Sequence, residues 1–147
     1  MSKTIAYDKY RTGFDSDFVK QVSLSTLFEQ TDILSIHLPL TEETTFMVDK
    51  TFIDQFSKPI LIINTARGKN VKTADLVEGL KSGKILGAGL DVLEYEKKSF
   101  QLMDLAEIPE PFAYLTQASN VLLSPHVAGW TTESYKKLSL VLADKIA

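Results

Sequence analysis

The chain has 147 residues, of which 44% are hydrophobic and 24% charged, enough for one domain with its own core. Its net charge of −3 and the lack of a long basic run argue against nucleic acid or an anionic membrane as a partner. No run of about eighteen apolar residues offers a spanning helix, Met1-Ser2-Lys3-Thr4 lacks the apolar segment of a signal peptide, and the absence of cysteine removes disulfides and thiolate zinc sites, a pattern that fits the cytoplasm.

In chain order, Thr4-Ile5-Ala6-Tyr7-Asp8 reads as a short strand ending in an acid, and residues 9–18 as a polar loop. A short helix follows over Val22 to Gln30, capped by Ser23 or Ser25, with Leu24, Leu27 and Phe28 on one face. Ile33 to Leu38 is a strand stopped by Pro39. Thr41 to Phe56 reads as helical in two pieces. Ile60 to Asn64 is a continuous apolar run, which predicts a strand buried on both faces. Thr73 is expected to cap a helix that runs through Lys81, with Asp75 near its start, Lys81 near its end and Gly83 beyond. Ile85 to Val92 is a further strand. Residues 97–119 are the least regular, with Pro109 and Pro111, and are expected to form a loop with a short helix over Phe100 to Leu105. Val121 to Leu123 is a last strand. Thr131 or Thr132 then opens a helix in which Tyr135, Leu138, Leu142 and Ile146 share a face.

Strands that alternate with helices imply an α/β fold, a parallel sheet covered by helices. Such sheets carry their functional groups at the carboxyl ends of the strands. Asp8, Pro39, Arg67, Asp91 with Glu96, and His126 all stand just after strands.

His126 lies in Ser124-Pro125-His126-Val127-Ala128-Gly129-Trp130-Thr131, between a strand end and a helix start. Imidazole, with a reference pKa of about 6.5, is the natural proton donor near neutral pH for reduction of a ketone. A carboxylate beside it would favour the protonated ring and orient it. Glu96 suits that role, although spacing alone does not separate it from Glu94. Arg67 offers a planar fork that can hold a carboxylate and polarise a carbonyl. Asp8 ends the first strand, where dinucleotide folds place an acid on the adenosine ribose hydroxyls; Arg11 nearby weakens the preference for NAD over NADP. Gly87-Ala88-Gly89 lacks the third glycine of a phosphate loop and lies within a strand, so these glycines read as close-packing sites. His37 reads as a strand-end residue. No His and carboxylate cluster has metal spacing, and neither a nucleophile elbow nor a P-loop occurs.

The chain resembles the NAD-dependent D-2-hydroxyacid dehydrogenases, which include D-lactate, glycerate and phosphoglycerate dehydrogenases. The resemblance rests on Ala6-Tyr7-Asp8, on Asp32 through Thr41, on Asn64-Thr65-Ala66-Arg67-Gly68, on Gly87 through Val92 and on Ser124 through Gly129. These pieces keep the family's order and cover nearly the whole chain. The resemblance implies a Rossmann-like, doubly wound parallel sheet. It makes Arg67 the substrate-carboxylate residue, His126 the acid/base and Glu96 its partner. It places Asp8 on the adenosine ribose, and Leu38, Pro39, Thr65, Ala66, Asp91 and Gly129 around the cofactor, with Asp91 near the nicotinamide amide. NAD is the implied cofactor and a small 2-keto or 2-hydroxy acid the substrate, in an enzyme expected to be a homo-oligomer. Lys97 departs from the family, where a proline usually follows the glutamate, and the stretch from Glu96 to His126 is longer than usual.

By the same resemblance, the chain is expected to be a single partial NAD-binding domain over 1–147, without the N-terminal substrate domain, the first strand, the Gly-x-Gly-x-x-Gly loop or the first helix. The family sheet runs 3-2-1-4-5-6-7, so the missing strand is central, and its loss exposes backbone edges and apolar surface. The phosphates also lose their backbone cradle. Two compensations are expected: Thr4–Asp8 moves in beside Ile33–Leu38, or two chains pair across the gap. A third is a fragment that folds only with the rest. The isolated chain is expected to have little or no activity, and a non-catalytic binding or assembly module on the same scaffold is the alternative.

Overall fold

The computed structural model describes residues 3–96 and 108–146. Its main sheet has four parallel strands in the order β3 (Ile33–Ile36), β4 (Ile60–Asn64), β5 (Ile85–Leu90) and β6 (Val121–Leu123). A second, two-stranded parallel sheet pairs β1 (Thr4–Ala6) with β2 (Val19–Gln21). The strand β1 therefore does not move in beside β3. Its hydrogen-bonding partner is β2, with Thr4 opposite Val19 and Ala6 opposite Gln21. Three residues, of which only Val19 is apolar, give too short a pattern to announce β2 from sequence, so this pairing was not expected.

The helix α1 (Leu24–Gln30) joins the two sheets, and Ser23 caps it by accepting from the Thr26 N–H. Between β3 and β4 only α2 (Lys50–Asp54) is helical, capped by Asp49 through the Phe52 N–H. The expected first helical piece is a series of turns over residues 42–46. The Thr44 hydroxyl donates to Pro39 O at 2.6 Å, the Thr45 hydroxyl to Thr41 O at 2.6 Å, and Phe46 takes a left-handed φ of 54°. Short hydroxyl side chains that bond nearby backbone compete with helix formation. Phe28 of α1 meets Phe52 and Phe56 edge to face, with centroids 5.1 and 5.0 Å apart, and this tie packs α1 against α2.

The helix α3 (Thr73–Ser82) follows, with Lys72 rather than the expected Thr73 as its N-cap residue, since Thr73 already has helical backbone, and ends at Gly83, whose φ of 77° is the left-handed conformation glycine adopts without strain. It packs on β5, α2 and α4. The helix α4 (Glu110–Gln117) lies in the stretch expected to be irregular. Pro109 is its N-cap and Pro111 falls in its first turn, where a missing N–H costs no hydrogen bond, so these prolines start a helix rather than prevent one. The expected short helix over residues 100–105 lies outside the described residues. The final helix is α5 (Thr132–Ile146), and no residue of it is buried.

The core lies on one face of the main sheet. Ile36, Ile60, Ile62, Ala88 and Leu90 pack there with Val48, Ile53, Phe56, Leu76, Val77 and Leu115. On the opposite face β4 is not buried, contrary to its sequence pattern: Leu61 and Ile63 are exposed. Ile33 lies beside Leu61, and Leu122 is reached from Ile63 across Gly89, so the four form one uncovered apolar strip. Gly87 is a close-packing site: a Cβ there would stand 2.7 Å from Asn120 O and 3.1 Å from Leu61 Cδ2. Gly89 is not, since its Cβ would meet nothing nearer than 3.9 Å.

Candidate active site

The parallel strands of the main sheet bring four successive strand-end segments to one edge. At the end of β4, Asn64 is fully buried and its side chain clamps the turn that follows. Its Nδ2 donates to Arg67 O at 3.0 Å and its Oδ1 accepts from the Ala66 N–H at 3.0 Å. The turn leaves Thr65 and Arg67 exposed. The Arg67 guanidinium donates from Nη1 to Ala66 O at 2.6 Å and, among the described residues, forms no ion pair. Sequence reading missed Asn64 as a site residue. Its signal was a polar side chain closing an apolar strand, since a buried amide needs partners for its donors and acceptors.

After β5, Asp91 is buried and organises the loop after β6. Its Oδ1 accepts from the Ser124 hydroxyl at 2.6 Å and the Val127 N–H at 2.8 Å; its Oδ2 accepts from the Ala128 N–H at 2.9 Å. Burial pushes the Asp91 carboxyl pKa up, but the bonds from Ser124, Ala128 and Val127 and the field of His126 outweigh it and leave the pKa below the ordinary 3.8. The Asp91 carbonyl also accepts from the His126 N–H at 2.9 Å. His126 is thereby held in the left-handed region, with φ 57°, a sparsely populated conformation for a residue with a Cβ.

The structure separates the two glutamates that spacing left equivalent. Glu96 Oε2 lies 2.9 Å from His126 Nδ1, and its Oε1 accepts from the Leu93 N–H at 2.7 Å. Glu94 turns the other way and accepts from the Thr73 N–H at 2.6 Å. An ionised carboxylate only accepts hydrogen bonds, so His126 donates from Nδ1 and directs Nε2 away from Glu96. Gly68 joins the Arg67 turn to this loop. A Cβ at Gly68 would stand 2.0 Å from Leu93 O, so only glycine permits the approach.

The remaining candidates occupy the strand ends in turn. Leu38 and Pro39 follow β3, Thr65 and Ala66 follow β4, and Gly129 follows His126 on the loop after β6. Asp8 follows β1, in the smaller sheet. Its Oδ1 accepts from the Tyr10 and Arg11 N–H groups at 2.8 and 2.9 Å, and these bonds lower its pKa below 3.8. Lys9 and Tyr10 both bond to Glu43, which ties the loop after β1 to the loop after β3. His37 bonds its Nε2 to Ser35 Oγ at 2.8 Å and is a strand-end residue, as expected. Among the described residues, no helix is long and apolar enough to cross a membrane.

Residues 1–128 match the family model described as D-isomer specific 2-hydroxyacid dehydrogenase, NAD binding domain. An aromatic 2-oxoacid reductase of Clostridium sporogenes is 35% identical over 140 residues, covering 94% of this chain and 42% of that protein. A hydroxypyruvate reductase of Thermotoga maritima is 34% identical over 144 residues, covering 98% of this chain and 44% of that protein. The chain thus spans less than half the length of these relatives. Among solved structures, the NAD-complexed D-isomer specific 2-hydroxyacid dehydrogenase of Lactobacillus delbrueckii ssp. bulgaricus superposes with a TM-score of 0.87 at 33% identity, over 99% of this chain and 45% of that one. The chain belongs to the D-isomer specific 2-hydroxyacid dehydrogenases, as an α/β NAD-binding domain with a parallel sheet.

Proposed function

We propose that this chain is the catalytic, NAD-binding part of an enzyme that reduces a small 2-keto acid to a D-2-hydroxy acid, and that it has little or no activity in isolation. The observation that carries the reading is the 2.9 Å pair of Glu96 and His126, set beside the Arg67 turn. Arg67 would hold the substrate carboxylate and polarise its carbonyl. Glu96 accepts from Nδ1, and the Nε2–H of the protonated ring would give its proton to the carbonyl oxygen. Bound NADH would supply the hydride.

The fit to that cofactor is partial. Leu38, Pro39, Thr65, Ala66 and Gly129 would line its site, with Asp91 near the nicotinamide amide. Asp8 has an oxygen beyond the two bonds its Oδ1 makes, suited to ribose hydroxyls. Residues 1–147 contain no Gly-x-Gly-x-x-Gly segment of the kind that cradles a pyrophosphate. NADH oxidation by the pure 147-residue protein, with pyruvate, hydroxypyruvate or glyoxylate, is expected to give no turnover; measurable turnover would refute inactivity in isolation. Saturable NADH fluorescence would support a residual cofactor domain.

The uncovered strip of Ile33, Leu61, Ile63 and Leu122 supports association with a further chain, in keeping with a homo-oligomer. It also favours a second reading, a non-catalytic assembly module on the dehydrogenase scaffold. A dimer that survives dilution and binds no NADH would favour that reading over the first.

A further inference from the structure

Glu96 and His126 form an exposed pair, with side chains 39% and 42% accessible. Such pairs orient each other weakly, because water competes for both partners and each side chain keeps its rotamer freedom. Their geometry must come from the backbone that carries them. The Glu96 side chain is held by the Leu93 N–H, and the Glu96 N–H donates to Leu93 O at 3.2 Å, so the pair is only as fixed as the Leu93–Glu96 turn. That turn is anchored from outside at Glu94. The N-cap residue of α3, Lys72, makes no side-chain capping bond. Glu94 supplies the cap from 21 residues away, its Oε2 accepting from the Thr73 N–H at 2.6 Å. A carboxylate there satisfies an orphan donor and meets the positive end of the helix. Tyr95 reinforces the anchor by packing its ring against Phe112 of α4, centroids 6.1 Å apart.

We infer that Glu94 is a positioning residue: by capping α3 it fixes the turn that presents Glu96 to His126. The inference rests on the dehydrogenase reading of that pair. The neutral-ring tautomer of His126 reads it directly, because the hydrogen bond at one ring nitrogen sets which nitrogen keeps the proton. Ring 15N shifts of the 147-residue chain, recorded about two units or more above the reference imidazole pKa of about 6.5, are expected to show the Nδ1–H form favoured. Glu94→Ala should move the tautomer ratio toward Nε2–H by roughly twofold or more. Glu94→Asp keeps the charge but shortens the reach, and should do the same if the alanine variant fails to fold. Glu94→Gln, whose carbonyl oxygen can still accept from the Thr73 N–H, should restore the parent ratio. Alanine and aspartate variants that fold and keep the parent ratio would overturn the inference, whatever their stability. Glu96→Ala, which removes the acceptor at His126 Nδ1, separates the two levels. If it abolishes the Nδ1–H preference while the Glu94 variants do not, only the positioning role fails; if it changes nothing, the pair itself fails and the positioning role with it.

Discussion

At the scale of single residues, Asp91 joins stability to site geometry, because three donors of the His126 loop converge on its carboxylate. Since its folded pKa lies below 3.8, the contribution of Asp91 is fully present at neutral pH and is lost as pH falls through the folded value. Acid unfolding followed by circular dichroism should therefore show a limb below about pH 3.8 that Asp91→Asn flattens; an unchanged limb would show that the Asp91 bonds carry no acid sensitivity. Gly68 gives a steric case. The atom that its Cβ would strike is Leu93 O, part of the backbone, and it has no side-chain freedom with which to give way. Gly68→Ala should cost about 1–3 kcal/mol in urea unfolding. A neutral result would mean that the Arg67 and Glu96 turns can separate.

Elements differ in how far local pattern decides them. The helix α3 was legible because Asp75, Lys81 and Gly83 mark its two ends, and the structure places it at Thr73–Ser82. The strand β6 was legible as Val121–Leu123 for a similar reason: an apolar triplet between an asparagine and a serine-proline. Residues 42–46 form turns rather than the expected helix because the Thr44 and Thr45 hydroxyls bond the Pro39 and Thr41 carbonyls. The helix α5 was read correctly as amphipathic, yet Leu138 is 69% exposed whereas Leu76 of α3 is 1% exposed. Leu76→Ala should therefore cost about 2–5 kcal/mol, and Leu138→Ala no more than about 0.5 kcal/mol. Equal losses in urea titrations would mean that α5 is packed in solution.

At the scale of the whole molecule, the described residues form two parallel sheets joined by α1, with one face of the larger sheet covered and the other carrying an apolar strip. If that strip drives self-association, Leu61→Lys combined with Leu122→Lys should lower the mass measured by light scattering while leaving the circular dichroism spectrum intact. The parent and the double variant having the same mass would exclude this face as the contact. The sequence by itself determined strands β1 and β3 to β6, helices α1, α3 and α5, the parallel α/β class and the strand-end placement of Asp8, Arg67, Asp91, Glu96 and His126, because periodicity, caps and strand ends are written in neighbouring residues. Only the tertiary structure decided that β1 pairs with β2, that one face of β4 is bare, and that Glu96 meets His126 while Glu94 caps α3. Those outcomes depend on groups far apart in the chain, whose approach is set by strand order and loop packing and leaves no mark in local spacing.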